Sequence, residues 1–385
     1  MLYIWQHNNW PRFRWRDDRL IDAVGKTRFS QGQLLSKVQG LGMPLSREAQ
    51  AEILIEEAVK TSSIEGQELD RNSVRSSVAR RLGLSTAGLP AADRHADGLV
   101  DVLLDAATHY DKPLTAERLK SWQAALFPTG YSGLRRIHTG EWRGAEPMQV
   151  ISGPVGRERV HFEAPPADRI EKEMEHFFSW WTESAGKIEG LLRAGIGHFY
   201  FITIHPFEDG NGRIARALTD MALAQNEGLA IRFYSLANRI MAEREMYYDI
   251  LEKTQKGDGD ITGWLLWFLG CMDRAIAHSE TLVAGVLAKA AFWQKYGQSP
   301  LSDNQRKVIN RVLDAGPGGF EGGLTTRKYV SMTRMSRATA YREMTDLVSK
   351  GILAVNQGKG RNISYRLENK VAADETATRT GTEER

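Results

Sequence analysis

The sequence predicts a mainly helical protein, and three observations indicate this fold class. Residues 46–66, 92–110 and 115–126 combine apolar and polar positions at helical spacing. The stretch 191–204 is apolar on nearly every side, which is typical of a helix buried in the middle of a bundle. Only one pair of short β-prone runs stands out before residue 300. We therefore expect a helical bundle that carries a single β-hairpin.

Capping residues indicate where several helices begin and end. Ser46 can accept a hydrogen bond from a first-turn N–H group, so we expect the first helix to begin there and to end near Gly66. Two later helices are expected to end at Gly228 and Gly257, because glycine readily adopts the left-handed conformation that stops a helix. We predict that the second of these runs without a break over residues 238–257.

The expected β-hairpin lies in the passage 131–166, which is rich in glycine, proline and arginine. In this passage, "MQVIS" and "RVHFEA" are β-prone runs on either side of "GPVGRE", a sequence suited to a turn. The rest of the passage shows no periodicity, and we expect it to be irregular.

Composition is that of a globular protein, with 42% hydrophobic and 26% charged residues. No run approaches the roughly 18 apolar residues of a membrane span, and the opening residues lack the pattern of a secretory signal. Cys271 is the only cysteine, which excludes an intramolecular disulfide. We therefore expect a cytoplasmic protein with no membrane partner.

The character of the sequence changes at Ser299. Three helical stretches and a β-hairpin follow in the order typical of a winged helix-turn-helix domain. Residues 301–367 contain 12 Lys and Arg against 5 Asp and Glu, whereas the whole chain has a net charge of only +3. One interpretation is DNA binding, and the other is a protein-interaction domain with a solvated basic face. DNA binding would place four side chains in the major groove, those of Arg337, Thr339, Tyr341 and Arg342. It would place two side chains of the wing on phosphates, those of Lys359 and Arg361.

One short stretch, "HPFEDGNGRIAR" at residues 205–216, concentrates polar side chains in a single turn. Its glycines match the G-x-G-x-x-A spacing of a dinucleotide site, but that site needs the first glycine directly at the end of a strand. A zinc site from His198, His205 and Asp209 lacks the usual ligand spacing, paired cysteines and a further ligand nearby. Neither alternative uses the whole stretch.

The chemistry of this stretch fits a polyphosphate site. Gly210 and Gly212 let the backbone N–H groups of residues 210–212 approach an anion. A helix that begins near Arg213 adds the positive end of its dipole. Arg213 and Arg216 lie three residues apart and offer forked donors to phosphate oxygens. Asp209 suits Mg²⁺ that is held mainly by phosphates, and His205 suits a general base at neutral pH.

The same stretch resembles the signature of the Fic family, H-x-F-x-[DE]-G-N-G-R-x-x-R, at every fixed position. Members of that family most often transfer AMP from ATP to a Ser, Thr or Tyr hydroxyl of a protein and release pyrophosphate. The resemblance implies a general base at His205, a core anchor at Phe207, a Mg²⁺ ligand at Asp209, a phosphate cradle at Gly210, Asn211 and Gly212, and polyphosphate ligands at Arg213 and Arg216.

Other segments look like further parts of Fic proteins. The predicted hairpin resembles the flap that pairs with the target peptide, which implies that Val150 and Ile151 dock the target or touch the nucleotide. The stretch "REMYYDILEKTQKG" resembles the helix that borders the adenine, although its aromatic pair also suits a core helix. This resemblance nominates Tyr247, Tyr248, Leu251 and Gln255 as adenine-site residues.

A second motif precedes the loop. "TSSIEG", residues 61–66, has the spacing [ST]-x-x-x-E-[GN] and resembles the inhibitory motif that many Fic proteins place before the catalytic core. The resemblance implies that Glu65 reaches Arg216 and occupies the arginine that would hold the γ-phosphate. The alternative is an ordinary helix end with an exposed glutamate.

The resemblance covers roughly residues 1–367 and divides the chain into five predicted segments. They are an N-terminal helical region 1–110 with an inhibitory helix at 46–66, a Fic core 111–280 with a flap at 146–164 and the loop 205–216, a linker helix 281–298, a winged helix domain 299–368 and a disordered tail 369–385.

The sequence thus predicts a protein adenylyltransferase that uses ATP and Mg²⁺, modifies a protein target, with self-modification as one option, and is autoinhibited by Glu65. The alternatives are removal of AMP from a modified protein, transfer of a different phosphate-containing group, and a DNA-binding regulator whose core senses a nucleotide. His205 favours an enzyme, because sensing ATP requires no base. An oligomer is compatible with the sequence, which does not specify its size.

Overall fold

The structure is a computed structural model, and it describes residues 2–152, 157, 159–315, 322–356 and 363–368. The protein is mainly helical, as predicted. The chain forms two compact units, residues 1–280 and 281–385, so the predicted N-terminal region 1–110 belongs to the same unit as the predicted core.

Helices make up most of the first unit. In chain order they are α1 (Asp17–Gln39), α2 (Met43–Ile64), α3 (Arg71–Leu82), α4 (Arg94–Thr108), α5 (Ala116–Leu126), α6 (Ile170–Glu183), α7 (Gly190–Ile204), α8 (Asn211–Glu227), α9 (Leu236–Ala242), α10 (Arg244–Gln255) and the part of α11 (Thr262–Tyr296) up to residue 280. Between α5 and α6 lie two antiparallel hairpins, β1–β2 (Tyr131–Ser132 and Arg135–Arg136) and β3–β4 (Gln149–Ser152 and Arg159–Glu163).

Helix α7 lies in the core of the first unit, which confirms the prediction for the apolar stretch 191–204. Every residue of α7 is buried. The carbonyl of Gly195 accepts a hydrogen bond from Trp264 Nε1 at 2.8 Å, and a Cβ on Gly195 would lie 2.9 Å from the Phe268 ring. Glycine therefore allows α11 to pack closely on α7. This packing fixes the end of α7, from which the loop 205–216 departs.

The prediction that Ser46 begins the first helix was wrong. Helix α2 begins at Met43, and Pro44 occupies its first turn, where the missing N–H group of proline is not needed. At the other end, α2 stops at Ile64, and Gly66 has the left-handed conformation expected of it, with φ of +77°. Helices α1 and α3 lie in the predicted N-terminal helical region 1–110, but neither was given bounds of its own from the sequence.

The prediction of one helix over residues 238–257 was also wrong. The segment forms two helices, α9 and α10, with a break at Glu243. The Glu243 carboxylate accepts hydrogen bonds from Arg274 of α11 at 2.6 Å and from Arg239 at 3.2 Å. An ion pair with a distant helix therefore holds this break, and local helical periodicity gives no sign of it.

The predicted hairpin is confirmed as β3–β4, although a second short hairpin, β1–β2, was not expected. We call β3–β4 the flap; residues 153–156 and 158 of its turn lie outside the described residues. The carboxylate of Glu252 on α10 accepts hydrogen bonds from Arg159 at 3.0 Å and from His161. Burial would raise the pKa of Glu252, but hydrogen bonds from Lys256, His161 and Arg159 lower this pKa to about 2. The flap strand β4 is thus tied to α10.

Helix α11 is long and apolar enough, by length and composition, to cross a membrane. The expectation that no segment approaches that length was therefore wrong. The first half of α11 lies in the core of the first unit, where Trp264, Phe268 and Met272 are fully buried. We describe α11 as a core helix on this basis. It runs without a break past residue 280, so residues 281–298 do not form a separate linker helix.

The second unit has the predicted order of three helices and a hairpin. Its elements are α12 (Asp303–Asp314), α13 (Thr326–Thr333), α14 (Arg337–Ser349), β5 (Leu353–Val355) and β6 (Tyr365–Leu367). Val308, Tyr329, Met344 and Ile352 are buried together in its core. The assignment to the winged helix class remains a prediction. Lys359 and Arg361 of the predicted wing, and the predicted tail 369–385, lie outside the described residues.

His198 is a core residue and not a metal ligand. Its Nδ1 lies 3.0 Å from Thr219 Oγ1, and its Nε2 lies 2.9 Å from the Tyr247 hydroxyl. Because Thr219 Oγ1 donates its hydrogen bond to the Ala215 carbonyl, it accepts one from the Nδ1–H group of His198, and His198 Nε2 accepts one from the Tyr247 hydroxyl. In the described part of the chain, no group of three or more His, Cys, Asp or Glu side chains could hold a metal ion. The zinc alternative therefore lacks a ligand set.

Burial of His198 predicts a specific dependence of stability on pH. Burial lowers the pKa of His198 from 6.5 to about 3. The unfolded chain therefore binds a proton at this residue that the folded chain rejects, and stability falls as pH decreases below 6.5. Between about pH 6 and pH 4, we expect His198 to lower the free energy of unfolding by about 1.4 kcal/mol for each unit that the pH decreases. Urea unfolding of wild type and His198→Gln should show the steeper decline in wild type, and parallel declines would contradict this account.

Candidate active site

The loop 205–216 is formed where α7 ends and α8 begins. His205 ends α7 in a left-handed conformation, with φ of 52° and ψ of 58°. Gly210 precedes α8 with φ of +92°, and a Cβ there would lie 3.0 Å from the Phe127 ring. Position 210 requires a residue that adopts a positive φ and has no Cβ to approach the Phe127 ring, and glycine satisfies both conditions. The helix begins at Asn211, slightly earlier than predicted.

The Asn211 side chain has a structural role that the sequence did not predict. Its Oδ1 accepts a hydrogen bond from the Phe207 N–H group at 3.0 Å, and its Nδ2 donates to the Phe207 carbonyl at 2.8 Å. Phe207 itself is fully buried, and its ring centre lies 4.9 Å from that of Trp142. The Asn211 side chain thus closes the loop, and only its backbone remains for a phosphate cradle.

We expect Asn211→Ala to lower the free energy of unfolding by roughly 2 kcal/mol or more, because it leaves the buried N–H and carbonyl groups of Phe207 without partners. The matched control is Asn226→Ala, since Asn226 is exposed on the same helix; we expect it to change stability by less than about 0.5 kcal/mol. Chemical denaturation of the three proteins measures both effects. Equal stability of wild type and Asn211→Ala would show that the side chain does not hold the loop.

His205 is oriented as a proton acceptor. Its Nδ1 lies 3.1 Å from the Ile202 carbonyl oxygen, and because a carbonyl can only accept, Nδ1 carries the proton. Nε2 is then the unprotonated nitrogen. Burial lowers the pKa of His205, so the imidazole is neutral at neutral pH. The side chain is therefore ready to accept a proton through Nε2.

Arg143 supports the His205 segment and was not predicted from the sequence. Its Nε donates to the His205 carbonyl at 2.8 Å, its backbone N–H donates to the Pro206 carbonyl at 2.9 Å, and Nη2 donates to the Pro165 carbonyl. Burial lowers the pKa of Arg143 to about 10, so the side chain remains charged at neutral pH. Arg143 thereby ties the loop to the segment that follows the flap.

Arg216 is held by the motif that the sequence identified upstream. It is 1% exposed, and its Nη2 donates to Glu65 Oε1 at 2.6 Å and to the Thr61 carbonyl at 2.9 Å. Its Nε donates to Thr61 Oγ1. Burial would lower the pKa of Arg216, but the Glu65 carboxylate raises it. The predicted contact between Glu65 and Arg216 is therefore present, and Thr61, the first residue of the motif, takes part in it.

The Glu65 carboxylate also lies over the glycine of the predicted phosphate cradle. A Cβ on Gly212 would be 2.1 Å from Glu65 Oε1, closer than atoms can approach. Glycine at position 212 thus leaves room for an anionic group beside the start of α8. In this structure Glu65 occupies that room.

Arg213 is buried in the same region, at 4% exposed, and burial lowers its pKa. Its Nη1 donates to Gln67 Oε1 at 2.9 Å, its Nη2 lies 3.4 Å from Asp209 Oδ1, and its guanidinium lies over the Phe127 ring. Arg213 Nε and Arg216 Nη1 are buried donors without a hydrogen-bond partner among the described residues. Two buried arginines with spare donors fit a polyphosphate.

Asp209 meets the requirement for a Mg²⁺ ion that binds together with phosphates. Its side chain is 34% exposed, Oδ2 accepts a hydrogen bond from Ser132, and Oδ1 accepts from the Gly210 N–H group at 2.6 Å. Mg²⁺ in such sites takes one or two carboxylates, with waters and substrate phosphates as its other ligands. The donor set of this loop fits that pattern, in which Asp209 would be the protein ligand.

The predicted adenine residues divide into core and surface. Tyr247 is buried against His198, and Leu251 and Gln255 are buried as well, so the core interpretation holds for these three. Gln255 Nε2 donates to Thr203 Oγ1 at 3.2 Å. Tyr248 is 36% exposed, and the Arg244 guanidinium lies 5.5 Å from the centre of its ring, so this residue belongs to the surface.

The two flap residues differ in the same way. Val150 packs against an apolar cluster that contains Trp5 and Phe162. Ile151 is 54% exposed and is the one of the pair that remains available for docking.

Four residues of the site were not named from the sequence. Thr61 lies at a fixed position of the "TSSIEG" motif, so its role could have been inferred. Gln67, Ser132 and Arg143 belong to no motif, and their roles depend on tertiary contacts with Arg213, Asp209 and His205.

Comparison with known proteins identifies the domain that this loop belongs to. Residues 113–223 match the Fic/DOC family. The chain carries a Fic/DOC domain. Residues 3–84, upstream of the Fic domain, match a family described as "Domain of unknown function (DUF4172)". The Fic domain thus contains the whole loop, and Glu65 lies in the upstream region.

Individual relatives are distant. The chain is 25% identical over 271 residues to the protein adenylyltransferase Fic of Nematostella vectensis, a match that covers 69% of this chain and 57% of that protein. It is 29% identical over 126 residues to the uridine 5'-monophosphate transferase of Xanthomonas campestris, which covers 30% of this chain and 22% of that protein. The chain spans only about half the length of the animal relatives that it matches.

A solved structure shares the fold. The crystal structure of a Fic family protein from Desulfovibrio desulfuricans G20 superposes with a TM-score of 0.51 at 19% sequence identity, and it covers 95% of this chain and 97% of that chain. This match shows a likeness of fold.

Proposed function

We propose that this protein transfers AMP from ATP to a hydroxyl group of a protein. The observation that carries the proposal is the segment 205–216, where a neutral imidazole with Nε2 free to accept a proton ends α7 and two buried arginines with unpartnered donors lie near the start of α8. A base beside a polyanion site is what nucleotidyl transfer requires. The names of the relatives, protein adenylyltransferase among them, support the same class of reaction.

In the proposed reaction, the oxygen of the target hydroxyl attacks the α-phosphorus of ATP. The bond between that phosphorus and the oxygen that bridges to the β-phosphorus breaks, and pyrophosphate leaves. His205 Nε2 takes the proton of the hydroxyl. Arg213, Arg216 and the backbone N–H groups at the start of α8 hold the phosphates. Mg²⁺ on Asp209 would neutralise charge on the leaving pyrophosphate.

We further propose that Glu65 restrains this reaction. The Glu65 carboxylate forms an ion pair with Arg216 and fills the space beside Gly212. A terminal phosphate and this carboxylate compete for the same guanidinium, and their negative charges repel each other. ATP would then bind with its α-phosphorus turned away from in-line attack, so orientation is lost more than affinity.

The nucleotide itself is part of the proposal, because one relative is named for transfer of uridine 5'-monophosphate. We choose ATP because most of the named relatives are adenylyltransferases. The direction of the reaction, the target, self-modification and a cytoplasmic location are likewise proposed.

One experiment tests the nucleotide and the direction together. The protein is incubated with Mg²⁺, a cell lysate and either ATP or UTP labelled on the α-phosphate. We expect label on protein from ATP well above that from UTP. Preferential labelling from UTP would replace AMP by UMP, whereas no labelling together with release of AMP from a pre-modified protein would establish removal as the activity.

A further inference from the structure

Helix α14 of the second unit has two faces of opposite character. Ala340, Met344 and Leu347 are buried in the core of the unit. On the opposite side, these side chains are exposed at helical spacing: Arg337, Tyr341, Arg342 and Thr345. The exposed side chains therefore do not contribute to the core of this unit.

The acidic residues of α14 are turned away from this exposed face. Glu343 accepts hydrogen bonds from Ser302 Oγ at 2.8 Å and from the Tyr329 hydroxyl at 2.5 Å. Asp346 accepts from Gln305 Nε2 at 2.8 Å and pairs with Lys350. Both carboxylates are thus engaged inside the unit, and the exposed face of α14 carries only positive charge.

Four exposed arginines lie on α13, the turn that follows it and α14. They are Arg327, Arg334, Arg337 and Arg342. None of them forms an ion pair in the part of the chain that the structure describes, whereas Arg81, Arg232 and Arg274 of the first unit each do. Arginines without carboxylate partners leave their forked donors available to an external anion.

The arrangement of these helices indicates which anion. Helices α13 and α14 are joined by three residues, 334–336, as in a helix-turn-helix, and Arg334 adopts a left-handed conformation in the turn. In that motif the first part of the second helix reaches base edges in the major groove, while the first helix lies near the phosphates. Arg337, Tyr341 and Arg342 lie in the first half of α14.

We propose that the face formed by Arg327, Arg334, Arg337, Tyr341 and Arg342 binds double-stranded DNA, with α14 in the major groove. The negative charge of the DNA phosphates complements the positive charge of four arginines that form no ion pair among the described residues. An α-helix also fits the major groove, which is about 12 Å wide. Thr339 does not belong to this face, since its hydroxyl lies 2.9 Å from Ser336 Oγ and its N–H group is capped by the same atom. The expectation that Thr339 reaches DNA stays a prediction and forms no part of this proposal.

Binding to DNA is tested with the full-length protein and a labelled random-sequence duplex of about 30 base pairs. The variants are Arg337→Glu with Arg342→Glu and, as the matched control, Arg12→Glu with Arg19→Glu, which changes the net charge equally at exposed positions of the first unit. We expect the first pair to raise the Kd at least tenfold and to weaken its dependence on salt, because two cationic side chains on the duplex are replaced by anionic ones. The control is expected to stay within about twofold of wild type.

Two outcomes would overturn the proposal. One is the absence of salt-dependent binding by wild type; the other is equal binding by wild type and both variants. If the Arg337 and Arg342 variant instead bound DNA normally and lost a protein target, the face would be a protein-docking surface. The measurement uses no ATP, so it is independent of the proposed AMP transfer.

Discussion

Replacement of His205 by alanine, in a protein that also carries Glu65→Gly, is expected to lower the rate of AMP transfer by at least about a hundredfold. The reason is that Nδ1 is committed to the Ile202 carbonyl, so Nε2 is the atom of this side chain that receives the proton. ATP affinity is expected to change by no more than a few-fold, because both loop arginines and the helix N-terminus remain. Label incorporation from α-labelled ATP and calorimetric titration with ATP measure the two quantities.

The control for this substitution is His176→Ala, since His176 is exposed on α6 and lies outside the site. It should leave both the rate and the affinity unchanged. Circular dichroism confirms that each variant is folded. Loss of ATP binding together with activity, in a folded His205→Ala protein, would contradict the separation of base and phosphate site.

Removal of the Glu65 side chain is expected to raise AMP transfer, including self-modification, by at least about tenfold, which corresponds to roughly 1.4 kcal/mol of barrier. The change frees Arg216 Nη2 and clears the space beside Gly212. Glycine is tolerated at this position because Glu65 lies just after the end of α2, with φ of −85° and ψ of 8°. The measurement is label incorporation by wild type and Glu65→Gly at equal concentration.

Two further variants test whether the gain is specific to the contact between Glu65 and Arg216. Glu68→Gly is the matched control, because Glu68 is an exposed glutamate three residues away, and it should leave the rate unchanged. Arg216→Ala should not reproduce the gain, since it removes a phosphate ligand as well as the ion pair. Equal labelling by wild type and Glu65→Gly would exclude autoinhibition by Glu65. Slower removal of AMP from a pre-modified target by Glu65→Gly would assign Glu65 to the positioning of a hydrolytic water.

The helical class and the reactive loop could be predicted because both depend on local sequence. Helical periodicity identified the stretch that became α7, and the spacing from His205 to Arg216 identified the loop. The pairing of Glu65 with Arg216 depends on the fold, because 151 residues separate the two, and it was accessible only through the resemblance of "TSSIEG" to a known motif.

Other features could not be predicted because tertiary contacts decide them. The break between α9 and α10 is held by Arg274, which lies 31 residues beyond Glu243. Arg143 lies in an irregular passage, and its function depends on the position of the His205 carbonyl in the folded chain. The bonds of the Asn211 side chain to Phe207 were not predicted either, because the loop pattern does not tell which group that side chain contacts.

The central claim, transfer of AMP from ATP at a site that Glu65 obstructs, is tested most directly by two parallel reactions of the Glu65→Gly protein with Mg²⁺. One reaction contains ATP labelled on the α-phosphate, and the other contains ATP labelled on the γ-phosphate. The account predicts that protein acquires label only in the first reaction, and that pyrophosphate carries the label in the second. Protein labelled from the γ-phosphate, or unlabelled in both reactions, would contradict it.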